Sequence, residues 1–283
     1  VVLLSESEED EEDVGSGYVI VSGGGAYVEP VVSPLIEPTP VVSEPEINNN
    51  PFAGANLYVD PDPESKDVAE IAGQPTAKWF GDWNSDIEVS ANRYVTTVAA
   101  AGALPVMVIY NIPARDCGNY SAGGSADGED YINWVQSFAN GIGDRKAVVI
   151  VEPDALALDC MFENSVGLIT QAVDILKSKA GISVYLDSGH YNWINSTEMA
   201  GRLIEANVAK ADGFALNVSN FYTTAENIEY GKEISAFIGG KHFIIDTGRN
   251  GNGSNGEWCN PSGMSLGQNP TTNTGEELVD AYL

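Results

Sequence analysis

Carboxylates placed just past strand-like apolar runs are the groups in this chain best suited to chemistry. Asp116 follows the run Val106–Tyr110, and Glu152 and Asp154 follow Ala147–Val151. A carboxyl group near a second negative charge, and partly buried, keeps its proton to higher pH than an isolated one. A proton-bearing acid with a second carboxylate nearby is the equipment for splitting a glycosidic bond. One group protonates the leaving oxygen while another supplies or activates the nucleophile. Asp154 is the better candidate for the acid, because it ends a buried strand and neighbours Glu152 and, across the adjacent strand, Asp116. Glu152 reads as a packing or hydrogen-bonding residue.

The elements that must position these residues are two buried strands and the helix between them. Continuous β-branched hydrophobicity suits a strand covered on both faces. Between the strands, Gly128–Ile142 has helical spacing through Tyr131, Val135, Phe138 and Ile142. A β–α–β unit with a right-handed crossover makes the strands parallel, so both deliver their carboxylates to the same edge of the sheet. That edge is where α/β folds keep their active sites. Further strands are expected at Gln74–Phe80, Ser183–Asp187, Gly213–Val218 and Phe243–Asp246, and a short one ends at Asp60. Helices are expected at Pro63–Ile71, Asp86–Gly102, Glu163–Ala180, Ser196–Asn207 and Thr223–Phe237. The rhythm of one helix per gap predicts a parallel (β/α) barrel or open sheet. The stretch Gly248–Gly275 has no periodicity, and so long a loop in a compact domain is usually functional.

Two segments carry a family resemblance. Val108, Tyr110 and Pro113 lead into Arg115-Asp116-Cys117-Gly118 and the small-residue loop Ser121–Gly124. The second segment runs Val148-Val149-Ile150-Val151-Glu152-Pro153-Asp154-Ala155-Leu156. Together they resemble the signature segments of glycoside hydrolase family 6, the secreted cellulases that include endoglucanases and cellobiohydrolases. The resemblance implies an α/β fold, a distorted (β/α) barrel of parallel strands with fewer than eight of them. It implies Asp154 as catalytic acid and Asp116 as the carboxylate that raises its pKa. Tyr110 would sit beneath the sugar at the cleavage point and help to distort the ring. Trp79, Trp193 and Trp258 resemble positions that line the glucan cleft; His190 and Asn217 resemble sugar contacts, and Ser121 marks the loop that holds the attacking water. Residue by residue, other readings stand beside these: Asp116 as an ion-pair partner of Arg115, Tyr110 and His190 as packing residues. Trp83 and Trp134 read as structural, and Asp246–Gly251 as a structural loop. Cys117 and Cys160 each lie just past one of two adjacent strands, so a disulfide between them is geometrically reasonable, and the resemblance implies the same pair. Such a bond points to an oxidising compartment, hence secretion.

Composition narrows the partners. The formal charge of −28 over 283 residues argues against nucleic acid, whose phosphates need a basic surface. No apolar run is long enough to span a membrane. Three cysteines without a CxxC pair give no zinc site, and no metal or cofactor is implied. Residues 1–50 hold eleven acids and no Lys or Arg, with repeated proline, and read as an extended, disordered linker. The catalytic domain is expected over 51–283. A carbohydrate-binding module is expected upstream of Val1, on a chain that acts as a secreted monomer.

Two departures from the family pattern shape expectations. The serine of the loop after Cys117 has an uncertain register, because Ser121 is followed by Ala122. The chain also stops where the resemblance places the start of a final strand bearing the catalytic base and a cysteine partner for Cys259. The final strand is therefore expected to be missing, with little turnover. Both loops that would roof the cleft, Gly118–Gly128 and Cys259–Thr274, are short. They favour an open groove and cleavage of internal β-1,4-glucosidic bonds with inversion. A cellobiohydrolase of the same family, a non-catalytic glucan-binding fragment and a retaining barrel glycosidase are the alternatives.

Overall fold

The computed structural model describes residues 50–61, 68–257, 259 and 261–283. The N-terminal linker up to residue 49, most of the helix expected at Pro63–Ile71, and Trp258 lie outside the described residues. Seven strands form one sheet in chain order, every neighbouring pair parallel. They are β1 (Lys78–Phe80), β2 (Val106–Ile109), β3 (Ala147–Val151), β4 (Ile182–Asp187), β5 (Gly213–Leu216), β6 (His242–Ile245) and β7 (Val279–Tyr282). A single turn, α1 (Ala69–Ala72), precedes β1. The next five gaps carry α2 (Ile87–Ala100), α3 (Gly128–Ile142), α4 (Asp159–Lys177), α5 (Ser196–Glu205) and α6 (Thr224–Phe237). Four helices begin where a side chain can accept from the N3 backbone N–H: Asp86, Asp127, Asn195 and Thr223. Such caps satisfy donors that the first turn would otherwise leave unpaired.

Strand side chains alternate between two cores. Met107, Ile109, Val149, Val151, Val184 and Leu186 pack outward against the helices. Val106, Val108, Val148, Ile150, Tyr185, Ala215, Ile244 and Ala281 fill the concave side. Burial on both faces is why these strands are continuously apolar in sequence. The sheet is strongly curled, because Tyr185 Oη on β4 donates to Asp280 Oδ2 on β7, three strands away, at 2.6 Å. His242 Nδ1, at the start of β6, lies 2.8 Å from Asp280 Oδ1. Strands β1 and β7 do not pair with each other, leaving a half-barrel of seven parallel strands.

The differences from the sequence reading have local causes. The strand expected before Asp60 shrinks to one bridge, Leu57 with Leu104. It is confined between Gly54, at φ +70°, and Pro61. Val279–Tyr282, expected only to open a missing strand, pairs as β7 alongside β6, with a register shift at Phe243/Ile244 that skips Asp280. Helix α4 starts four residues early, with Cys160 in its first turn, where it meets Cys117 as expected (Cα–Cα 6.2 Å).

Candidate active site

The site is built at the carboxyl ends of β1, β2 and β3, with a contribution from β5 and β6. Backbone geometry there is unusual. Ala114, Asp116 and Cys117 after β2, Glu152 and Asp154 after β3, and Asn217 and Ser219 after β5 all have positive φ. Among the described non-glycine residues only Asn207 shares it elsewhere. Residues held in this region cost roughly 1–3 kcal/mol each and persist where surrounding contacts fix them, characteristically at functional sites.

Those contacts can be traced. Glu152 is fully buried, and its carboxylate accepts the backbone N–H groups of Asn111 and Ile112 at 3.0–3.1 Å. It anchors the start of the loop after β2, as its packing role predicts. Burial pushes its pKa up to about 7. Arg115, also buried, donates to the carbonyls of Tyr110 (2.6 Å) and Ser121 (2.7 Å) and pairs with Asp82 at 3.2 Å. Asp82, not Asp116, is therefore its carboxylate partner, and the ion-pair reading of Asp116 is replaced. Asp116 Oδ2 instead accepts the N–H of Ser121 at 2.9 Å. At Gly124 (φ +94°) a Cβ would lie 1.9 Å from the Ile112 carbonyl oxygen, so only glycine lets the loop return this close.

Asp154 lines an open groove of about 580 Å³ together with Trp79, Trp83, Tyr110, Tyr120, Ser121 and Arg249. Burial, then the charge of Asp116, push its pKa up to about 6, while the Tyr110 hydroxyl bonded to it acts in the opposite sense. The Tyr110 phenol is itself raised, by burial and then by Asp154. Trp79 meets the Tyr110 ring edge-on at 5.3 Å. Thus Asp154, Tyr110, Trp79 and Ser121 come together, and Asp116 acts on Asp154 from beside the groove. A second cavity, of about 420 Å³ and lined by Trp79, Val108, Ile150 and Ile244, shares Val218, Ser219 and Arg249 with this groove.

His190 and Trp193 form a separate aromatic cluster past β4. His190 stacks on Tyr222 at 4.0 Å and lies 5.1 Å from Trp193. Its burial lowers the imidazole pKa to about 4, and Nδ1 is buried with no hydrogen-bond partner. Neither residue lines the groove of Asp154. Asn217, expected to bind sugar, is fully buried: its amide donates to the carbonyls of Asp246 and Asn220 and accepts from Tyr222 N. Its side-chain amide thereby ties β5 to β6. Trp134 stacks on Phe138 at 5.8 Å, as a structural tryptophan should. Trp83 does not fit its structural reading, since it is 53% exposed at the rim of the groove.

Asp187 carries no sequence-based assignment, although its place at the end of β4 repeats the signal of Glu152 and Asp154. It is buried, and Oδ1 accepts the backbone N–H of Asp154 (2.9 Å) and Gly189 (3.1 Å). Burial and the neighbouring Asp154 push its pKa up, which favours its protonated form. It fixes the backbone that presents Asp154.

An open parallel half-barrel here presents a raised-pKa carboxylic acid, a second carboxylate and aromatic walls at its carboxyl edge, the groups that cleavage of a glycosidic bond needs. The family model described as "Glycosyl hydrolases family 6" matches residues 44–283, and the chain belongs to that family. It is 43% identical to "Endoglucanase 1" of Streptomyces halstedii over 75% of this chain and 70% of that protein. It is 44% identical to "Endoglucanase A" of Cellulomonas fimi, over 76% of this chain and 49% of the relative. The match thus spans 49–70% of the length of these curated relatives. Curated cellobiohydrolases match at 26–28% identity. Among solved structures, the endoglucanase Cel6 from Mycobacterium tuberculosis, in complex with a thio-cellobioside, is 42% identical with a TM-score of 0.79, over 83% of this chain and 87% of that one.

Proposed function

We propose that this chain acts on cellulose and related β-1,4-glucans as an inverting endoglucanase. Asp154 donates its proton to the leaving glycosidic oxygen as the C–O bond breaks. A water attacks the anomeric carbon from the opposite face and releases its own proton, and Asp116 holds the acid form of Asp154 to higher pH. Tyr110 lies under the sugar whose bond breaks, while Trp79 stacks on a neighbouring pyranose. The observation that carries the reading is the Asp154 carboxyl, kept protonated to about pH 6 within an aromatic groove beside Tyr110. The apolar C–H faces of a pyranose suit indole and phenol rings, and its hydroxyls suit the polar groups between them. Short loops around the groove and closer identity to endoglucanases than to cellobiohydrolases favour internal cleavage. The Cys117–Cys160 disulfide fits a secreted enzyme.

The test is hydrolysis of soluble carboxymethyl cellulose, at the low rate expected of this chain, by the chain and by Asp154→Asn. Viscosity should fall faster than reducing ends appear, and the variant should lose on the order of a thousandfold or more in rate while still binding glucan. Cellobiose as sole early product would overturn the endo reading. An unaffected variant would overturn the assignment of the acid.

A further inference from the structure

Trp83 is an aromatic of the groove that no role accounts for. A tryptophan left 53% exposed is unusual, because burying its large apolar surface is what normally stabilises its place in a fold. Here the ring is nevertheless held in one position. The turn that carries it is closed by Asn84 N–H to the Gly81 carbonyl (3.0 Å) and by Gly81 N–H to Asn84 Oδ1 (3.0 Å). The indole lies against Gly81, where a Cβ would come within 2.4–2.5 Å of two of its ring carbons. Asp82, the intervening residue, is fixed by Arg115 and by the N–H of Gly124. The Arg115 guanidinium stands 5.4 Å from the Trp83 ring centre and 4.6 Å from that of Tyr110. Trp83 is thereby linked to Trp79 through Arg115 and Tyr110, in one row of planar groups along the groove that holds Asp154.

An exposed apolar plate immobilised by glycine, an ion pair and a cation is a preorganised contact surface: its ordering cost is met before any ligand arrives. We propose that Trp83 stacks on a pyranose of the bound glucan, forming a further sugar subsite on this groove. The inference rests on the glucanase reading and deepens it by one binding position. No ionisation is required of Trp83, so the effect is on affinity and not on the pH profile.

Cellohexaose binding by titration calorimetry, in the full chain made inactive by Asp154→Asn, tests it. Adding Trp83→Ala should weaken affinity about tenfold, the scale of one aromatic contact. Trp83→Phe, which keeps a flat ring, should recover to within about threefold of the parent. Melting curves of both variants accompany the titrations. Unchanged affinity in Trp83→Ala would overturn the proposal. So would equal losses in the Ala and Phe variants together with lowered melting temperatures, which would mark Trp83 as a structural cover for Arg115. If the parent itself binds no cello-oligosaccharide, the glucanase reading falls, and this subsite with it.

Discussion

In the proposed reaction Asp154 and Asp116 act as a carboxyl pair, and they are held by different contacts. Asp154 hangs from a backbone fixed by Asp187, whereas Asp116 is held by Ser121 N–H. Burial is the larger cause of the raised Asp154 pKa and the Asp116 charge the second. Asp116→Asn removes only the second. The acid should then ionise at lower pH, so the alkaline limb of kcat/KM should move acidward from about pH 6 while remaining above the ordinary carboxylate range. A pH–rate series on a soluble glucan checks this, and an unmoved limb would show that burial alone sets the value. The sequence marked both carboxylates because each follows an apolar run. It could not show that Asn217 is consumed by backbone carbonyls, since an asparagine at a strand end looks the same whether its amide faces a ligand or the next strand. Nor could it separate Trp83 from Trp134: both are tryptophans near helices, and only the turn at Gly81–Asn84 turns one outward.

The loop after β2 is the element on which the site depends. Its entry is pinned by Glu152, its middle by Arg115 and its exit by Gly124, and the disulfide ties it to the first turn of α4. These anchors join residues far apart in sequence, which is why the loop's path was illegible there while the flanking strands were plain. The bond between Cys117 and Cys160, separated by 43 positions, limits the freedom of the unfolded chain. Replacing both cysteines with serine should lower stability by about 4 kcal/mol on the loop-entropy account. Urea unfolding measures it, and a loss below about 1 kcal/mol would mean that Glu152 and Arg115 already hold the loop without covalent help. Strand and helix order was readable throughout, because two-sided burial leaves long apolar runs and each capping residue sits before its helix. The exceptions are the segment before Asp60, where glycine and proline leave room for a single bridge, and Val279–Tyr282, which forms β7 where no paired strand was expected.

Across the whole molecule, charge sets how stability responds to pH. Glu152, Asp154 and Asp187 have folded pKa values raised to about 7, 6 and 8, in each case chiefly by burial. A raised carboxyl pKa means that the folded state binds more protons than the unfolded one. Its contribution is complete below about pH 4, the ordinary carboxylate value, and is lost as pH rises through the folded value. His190, lowered to about 4, acts oppositely and weakens the fold between about pH 6.5 and 4. Three groups outweigh one, and the formal charge of −28 adds self-repulsion near neutrality. Melting temperature should therefore be higher at pH 5.5 than at pH 8, with added salt narrowing the gap through screening. A melting temperature that rises with pH over this range would contradict the burial of these acids.

The left-handed bends along the carboxyl rim have one more consequence. At Asp116, Glu152, Asp154, Asn217 and Ser219 the backbone itself disfavours bulky and β-branched side chains, whatever chemistry the position performs. In a saturation library, glycine, asparagine and aspartate should survive there more often than their chemistry warrants. Intolerance at those codons would then report the path of the main chain as much as the reaction.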